Sequence, residues 1–406
     1  MPLRPPAGFI SAFFDPLRNP DAPTIGAASA GDASASVEFT PPTNVGGSAI
    51  SSYSALSNPG QVVGTAASSP ISVTGLTNGT AYTFAVWATN TYGPSAYSAS
   101  TGSVTPTAPQ AFFAGGYVGG NYKSTIEYVN ISTTGNASSF GNLRTISGEK
   151  GWGYIVSGAS TSRGIYSGGN GDINNISYIT FASAGNSVAF GQLNYADGAG
   201  GGAASWNGAA GSSSRGLLGV EQTTFIQYIT IASTGNATNF GNFSSNRSRG
   251  GQFSSSTRSV FAGGSAPSNV IDYVTTATTG TATTFGALTS PKGYCAGAGS
   301  STRGLIAGGY NDGSFPAYFT NTIFYVTIAS TGNSTTFGNL TTSSVSLAGS
   351  SSSTRAVFGG GENSNNALNT IGYVTIASTG NATAFGDLSL ARYNLGCASN
   401  AHGGLQ

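Results

Sequence analysis

Residues 110–406 repeat a short string six times, and this periodicity limits the fold more than any other feature. Ser139-Phe140-Gly141-Asn142-Leu143, Ala189-Phe190-Gly191-Gln192-Leu193 and Asn239-Phe240-Gly241-Asn242-Phe243 share one pattern. It returns as Thr284-Phe285-Gly286-Ala287-Leu288, Thr336-Phe337-Gly338-Asn339-Leu340 and Ala384-Phe385-Gly386-Asp387-Leu388. The phenylalanines are 50, 50, 45, 52 and 48 residues apart. A unit of this length cannot bury an apolar face alone, so successive copies must pack on one another.

Each copy has the same internal order. A Gly/Ala/Ser-rich strand leads to a Ser-Thr-Arg turn, then an apolar strand ends in Gly-Gly, as in Gly304-Leu305-Ile306-Ala307-Gly308-Gly309. A variable loop precedes an alternating strand such as Ile323-Phe324-Tyr325-Val326-Thr327-Ile328. The hairpin signal Ser330-Thr331-Gly332-Asn333 turns it into the strand carrying Phe337. Gly, Ser, Thr and Asn are poor interior helix formers, while Thr, Val, Ile, Tyr and Phe suit strands, so the chain is predicted to be all-β. Four strands per copy match a propeller blade, and the period resembles the kelch repeat of about 50 residues. The first copy, Gln110-Ala111-Phe112-Phe113-Ala114-Gly115-Gly116, begins at the second strand, and Tyr393–Asn400 resembles a lone first strand. Pairing the two closes the ring without a free edge. The expected fold is therefore a six-bladed kelch-like β-propeller over 109–406, closed by pairing of C-terminal and N-terminal strands.

Residues 21–108 read as a run of short strands: Ser36–Thr40, Ile50–Ala55, Ile71–Val73 leading into Leu76–Ala88, and Ser98–Val104. Leu76-x-x-Gly79-x-x-Tyr82 is similar to the tyrosine corner of fibronectin type III modules, and Asn90-x-Tyr92-Gly93-Pro94-Ser95 resembles their F–G loop. The resemblance implies a fibronectin type III-like β-sandwich, a fold that is mostly a spacer. Residues 1–20 hold Pro2, Pro5, Pro6, Pro16 and Pro20 and read as an extended arm. Its Phe9, Ile10, Phe13 and Phe14 either dock on a partner or cover the next domain.

Charged residues are only 7% of the chain and the net charge is +1, with 14 basic residues spread singly. Nucleic-acid binding needs a concentrated positive field and is not expected. No apolar run is long enough to span a bilayer, and the N-terminus does not read as a secretion signal. The two cysteines, Cys295 and Cys397, are too few for a disulfide framework and sit at offset repeat positions; two free buried thiols are expected.

Few residues offer catalytic chemistry. The single histidine, His402, excludes a histidine-cluster metal site, and no metal or other cofactor is expected. The domain pair resembles galactose oxidase, but that copper site needs two histidines and two tyrosines. Sialidase boxes are missing. The 13 acids do not recur at equivalent positions, which argues against paired-carboxylate glycosidase chemistry. Asp172 and Asp312 follow Gly-Gly in loops; either they hold a Ca²⁺ ion with neighbouring carbonyls or, the favoured reading, they are ordinary turn residues. Arg163, Arg215, Arg258, Arg303 and Arg355 share one repeat position, with His402 read at the sixth. They form either an anion-binding ring or, as repeat-equivalent residues usually do, part of the architecture. The loop Tyr310–Phe319 breaks the repeat; its Tyr310, Asn311, Asp312, Phe315, Tyr318 and Phe319 suit sugar stacking and hydroxyl bonding, or packing on a subunit. Trp152 and Trp206 read as core or channel residues.

The Pro-rich arm, the Asp-Ala-Pro-Thr-Ile-Gly start of the second segment and the Ser-Thr-Arg-Gly and Tyr-Val-Thr-Ile-Ala-Ser-Thr-Gly-Asn repeats together resemble fibre-type virion structural proteins of tailed bacteriophages. The resemblance implies a non-enzymatic, multicopy particle component, made in the host cytoplasm and released on lysis. Residues 1–20 would anchor it to other virion proteins, and the propeller would meet host surface glycan, without nucleic-acid or membrane partners. A capsid or neck decoration with a structural role, and a polysaccharide-degrading enzyme, are the alternatives.

Overall fold

The computed structural model describes residues 17–144, 152–153, 155–168, 174–194, 207–208, 210–220, 223–247, 249–265, 267–311, 319–364 and 366–405. Phe9, Ile10, Phe13, Phe14, Asp172, Trp206, Asp312, Phe315 and Tyr318 lie outside the described residues. The chain is all-β, built from many small antiparallel sheets. Its contacts separate two units, 1–108 and 109–406.

In the first unit, Thr24–Gly31, Ser34–Thr40 and Ile71–Thr74 form one sheet, and Val63–Ala66, Ser52–Asn58, Thr83–Asn90 and Gly93–Pro94 form another. Alternation turns Val37 and Phe39 inward and Glu38 outward. They share one core with Ile71, Val73, Tyr53, Phe84 and Val86 of both sheets. Tyr82 Oη accepts a hydrogen bond from the Thr77 amide at 3.0 Å and pins the loop before its strand. The segment expected as a strand over Ser98–Val104 is largely irregular, with only Val104 bridging to Tyr82. The reason is local chemistry. The hydroxyls of Ser95, Ser98 and Thr101 accept the amides of Ala88, Val86 and Phe84 at 2.9–3.0 Å, where a paired strand would use carbonyls.

In the second unit the copies fold into successive sheets. The first sheet joins Gln110–Ala114, Thr125–Asn130 and Ser138–Asn142 to Gly396–Ser399 from the other end of the chain, with Cys397 opposite Phe113. The second holds Ile155–Ala159, Arg163–Gly168, Asn175–Thr180 and Val188–Gln192. The third has three described strands, Arg215–Gly219, Phe225–Thr230 and Thr238–Asn242; the residues before them, 195–206, lie outside the described set. The fourth holds Gly251–Ser254, Arg258–Ala262, Ser268–Thr275 and Thr283–Lys292. A fifth strand, Asn207–Gly208, adds to it in parallel. Ala296–Gly299, Arg303–Ala307, Thr322–Thr327 and Thr335–Asn339 make the fifth sheet. Ala348–Ser351, Arg355–Gly359, Thr370–Thr375 and Thr383–Asp387 make the sixth.

The recurring Phe-Gly string has a packing cause. Each phenylalanine is buried and lies edge-on to the tyrosine of its own third strand, at 5.9–6.1 Å in all six sheets. A β-bulge interrupts the third-to-fourth strand register beside the following glycine, as between Ile126 and Glu127 and between Ile323 and Phe324. The next sheet's hairpin turn then sits on that glycine. A Cβ at Gly141, Gly191, Gly241, Gly286, Gly338 or Gly386 would lie 2.0–2.1 Å from the carbonyl oxygen of the next turn's glycine.

Hydrogen bonds run across every junction. The amides of Gly235, Gly280, Gly332 and Gly380 donate to Phe190, Phe240, Phe285 and Phe337 of the preceding sheet. Ser187 donates to Asn142, and Gly135 of the first sheet donates to Phe385 of the sixth. The order of sheets therefore returns to its start. The turn asparagines Asn136, Asn186, Asn236, Asn333 and Asn381 add a side-chain clasp, each Oδ1 accepting an amide of the preceding sheet at 3.0 Å. Gly286→Ala is expected to lower stability by about 1–3 kcal/mol, because the methyl must displace backbone. Chemical denaturation of the full chain would measure this. Gly280→Ala, where a Cβ meets nothing within 4 Å, serves as the control.

Candidate functional site

The repeated arginines are engaged in architecture. Each begins the second strand of its sheet, and its Nη1 donates to two carbonyls in the next sheet's turn. Arg163 reaches Ile231 and Ala232, Arg215 reaches Thr276 and Ala277, and Arg258 reaches Ile328 and Ala329. Arg303 reaches Ile376 and Ala377, and Arg355 reaches Ile131 and Ser132. Each guanidinium also lies 4.6–4.8 Å over the tyrosine of its own third strand. Both carbonyl acceptors and ring faces are occupied by the same cation, which fixes neighbouring sheets at the hairpin end.

His402 does not belong to this set. The sixth equivalent position is Gln110, which pairs with Asn130 as Arg163 pairs with Thr180. Asn400 Oδ1 accepts the Gln110 amide, as Ser300 Oγ accepts that of Arg303. His402 lies one position off and is buried instead. Its Nε2 faces the Ala159 carbonyl at 3.0 Å, and its Nδ1 accepts the Gly404 amide at 3.2 Å. This arrangement suits the neutral ring protonated on Nε2 alone. Burial lowers the pKa from 6.5 to about 4. The folded value lies below the unfolded one, so the stability this ring contributes is complete above pH 6.5 and is lost as pH falls towards 4. Relative to His402→Gln, the native chain should lose up to about 3 kcal/mol over that window. Parallel denaturation curves at pH 7 and pH 4.5 would detect it; equal pH slopes for the two proteins would refute it.

The predicted aromatic loop is partly described. Tyr310 bridges both Gly293 and Phe319, Asn311 is exposed, and Asp312, Phe315 and Tyr318 fall outside the described residues. Tyr310 meets a partner that the sequence reading did not include: the Tyr294 ring, with centroids 5.5 Å apart. The Arg249 guanidinium lies 4.9 Å over Tyr294 and also donates to its hydroxyl. A second cluster joins Tyr117 to Tyr122 at 4.8 Å and to Tyr393 at 5.5 Å, while Tyr117 and Tyr393 exchange backbone hydrogen bonds. Tyr117 and Tyr310 each follow a Gly-Gly pair. Alignment of the repeats on those glycines is the signal that relates the two clusters.

Contrary to the sequence expectation, two acids do recur at one repeat position: Glu127 and Asp272 each stand just after the bulge of the third strand, and both are held in structural pairs. Arg392 Nη2 meets Glu127 at 2.8 Å, and Arg247 Nη2 meets Asp272 at 2.8 Å, with all four side chains at most 2% exposed. Burial lowers both arginine pKa values, against the pull of the paired acids. At the next junction Lys292, the last residue of the fourth sheet, takes the cation position and Phe324 of the fifth sheet the acid position. The ammonium lies over the Phe324 ring, bonds Thr320 Oγ1, and is lowered by burial to about 8. In the sixth sheet Ser344 and Gly372 stand at the two positions and line a cavity of about 20 Å³. Trp152 is a core residue whose Nε1 donates to the Arg144 carbonyl. Cys295 and Cys397 are buried and not joined in a disulfide; burial raises the Cys295 thiol to about 11.

Among the described residues, no three His, Cys, Asp or Glu side chains are grouped to hold a metal ion. Half-exposed tyrosines beside an arginine and amide groups can stack on and hydrogen-bond a polyhydroxyl ligand. No protein-family model and no curated protein matches the chain.

Proposed function

We propose that residues 109–406 form a six-bladed kelch-like propeller, and that the chain is a non-enzymatic, multicopy component of a tailed-bacteriophage particle. In this reading a fibronectin type III-like spacer precedes the propeller, residues 1–20 attach to other virion proteins, and the Tyr310 loop meets host surface glycan. The observation that carries it is the cycle of junctions: each turn clasps the sheet before it, and the first clasps the sixth. Such a frame suits rigid presentation of variable loops. Copies on one particle would add avidity to weak individual contacts. Two of the acids that an enzyme would need are already tied in Glu127–Arg392 and Asp272–Arg247, which favours binding over hydrolysis.

Gold-labelled antibody electron microscopy on intact particles tests the reading. Label at the tips of tail appendages is the expected result. Label on capsid or neck would replace it with a decoration role, and unlabelled particles would overturn it. Deletion of residues 1–20 should abolish incorporation into particles while the remaining chain keeps its circular dichroism spectrum.

A further inference from the structure

We propose that the arc of chain joining the two tyrosine clusters binds a β-linked oligosaccharide of two or three neutral pyranose units. The proposal rests on the glycan-contact reading above and gives it a location and a ligand class. Arg249, Tyr294, Ser346 and Asn394 occupy one repeat position, just before the first strands of the fourth, fifth, sixth and first sheets. All four adopt left-handed backbone, with φ of 60°, 56°, 56° and 57°. Non-glycine residues adopt this conformation uncommonly and at an energetic cost that glycine avoids. In a chain with 62 glycines, side chains are nevertheless kept at all four places.

The four residues are linked head to tail. Tyr294 donates its amide to Arg249 at 2.8 Å, Ser346 to Tyr294 at 2.9 Å, and Asn394 to Ser346 at 2.9 Å. One end of the arc carries the Arg249–Tyr294–Tyr310 cluster. At the other end Asn394 adjoins Tyr393, and so the Tyr117–Tyr122 pair. Between them Val345 and Glu362 exchange backbone hydrogen bonds, which places Glu362 beside Ser346. Glu362 follows a Gly-Gly pair, as Tyr117 and Tyr310 do, so all three stand at the same end of their sheets. It is half-buried, and desolvation raises its carboxyl pKa.

Two hydrogen-bonded steps separate Tyr294 from Asn394, roughly 10 Å at the usual spacing of paired backbones. That is about the length of a disaccharide, so its two ends can each reach a tyrosine cluster. A β-linked chain is a ribbon that presents C–H faces to both clusters, while Arg249 and Glu362 bond hydroxyls; Asn394 is buried and holds the backbone of the arc. One cation and one carboxylate along the arc favour a neutral ligand.

The test is calorimetric titration of the full chain with cellotriose and tri-N-acetylchitotriose, with glucose and N-acetylglucosamine as controls. At least one trisaccharide should bind, about tenfold or more tighter than its monosaccharide. Tyr294→Gly and Tyr393→Ala should each weaken binding about tenfold or more. Circular dichroism should show both tyrosine variants folded at the titration temperature; glycine at 294 relieves the left-handed backbone while losing the ring's contacts with Arg249 and Tyr310. Ser346→Gly gives the same relief and should leave affinity within about threefold. If a trisaccharide binds and the tyrosine variants bind as well as wild type, the site lies elsewhere and only the broader glycan reading survives. If none of the four sugars binds, the proposal is overturned, whatever the position of the protein on the particle.

Discussion

Deletion of residues 394–406 is expected to abolish cooperative folding of residues 109–406. The lost segment supplies the fourth strand of the first sheet, in which Cys397 and Ala398 are fully buried against Phe113 and Phe112. Without it, Gln110–Ala114 becomes an exposed edge carrying two large aromatic residues, a form of edge prone to aggregation. The loss spreads to neighbours. Ser157 Oγ donates to the Cys397 carbonyl, Ser399 Oγ donates to Ser351, and His402 bonds Ala159. Second, sixth and first sheets thus lose partners together. Size-exclusion chromatography and thermal melting followed by circular dichroism would report the outcome. The expected result is a broad, low-temperature transition with soluble aggregate. A monomeric truncation with the native melting temperature would show that the closing strand contributes little.

The second large effect concerns the buried ion pairs. Arg392→Ala should cost about 3–5 kcal/mol, because it leaves the Glu127 carboxylate buried without its cation. It also removes the donors that reach the Thr125 and Phe113 carbonyls. Replacing both partners by apolar residues of similar size, Arg392→Met with Glu127→Leu, should recover most of the loss. The recovery will be incomplete, since Glu127 Oε1 also accepts the Ser389 amide. Urea denaturation of wild type, each single variant and the double variant forms a double-mutant cycle that measures the coupling. Near-additive effects would mean that the pair is not a unit. The junctions into the fifth and sixth sheets already vary this arrangement, with Lys292 over Phe324 in one and Ser344 beside Gly372 in the other.

Much of the fold was legible because the repeat carries its own register. The Phe-Gly string marked each fourth strand, and Gly-Gly marked the end of each second strand. The Tyr393–Asn400 segment was recognisable as a first strand from composition alone. His402 was misplaced because the closing copy lacks the arginine: Asn400 stands for the serine and Gln110 follows only after a break in the chain. Ser98–Val104 failed for another reason. Serine and threonine at every third residue satisfy the neighbouring strand by hydroxyl, which period-two patterns do not anticipate. Of the residues proposed to bind, Tyr310 and Phe319 stood out because their loop breaks the repeat. Arg249 and Tyr294 did not, since their distinguishing property is a backbone angle rather than a residue type. Trp152, read as a core or channel residue, lies in the core.

The closing pairing also sets a clock. Gln110 and Asn400 are bonded across a sequence separation of 290 residues. During synthesis at about 5–20 residues per second, the first three strands of that sheet wait roughly 15–60 s for the fourth. For this interval Phe112 and Phe113 lack their eventual cover, and the first copy to emerge is the last to be completed. Such long-range closure slows folding relative to local hairpins. The chain is therefore most vulnerable to a chaperone, a protease or a second nascent copy just before its final dozen residues appear.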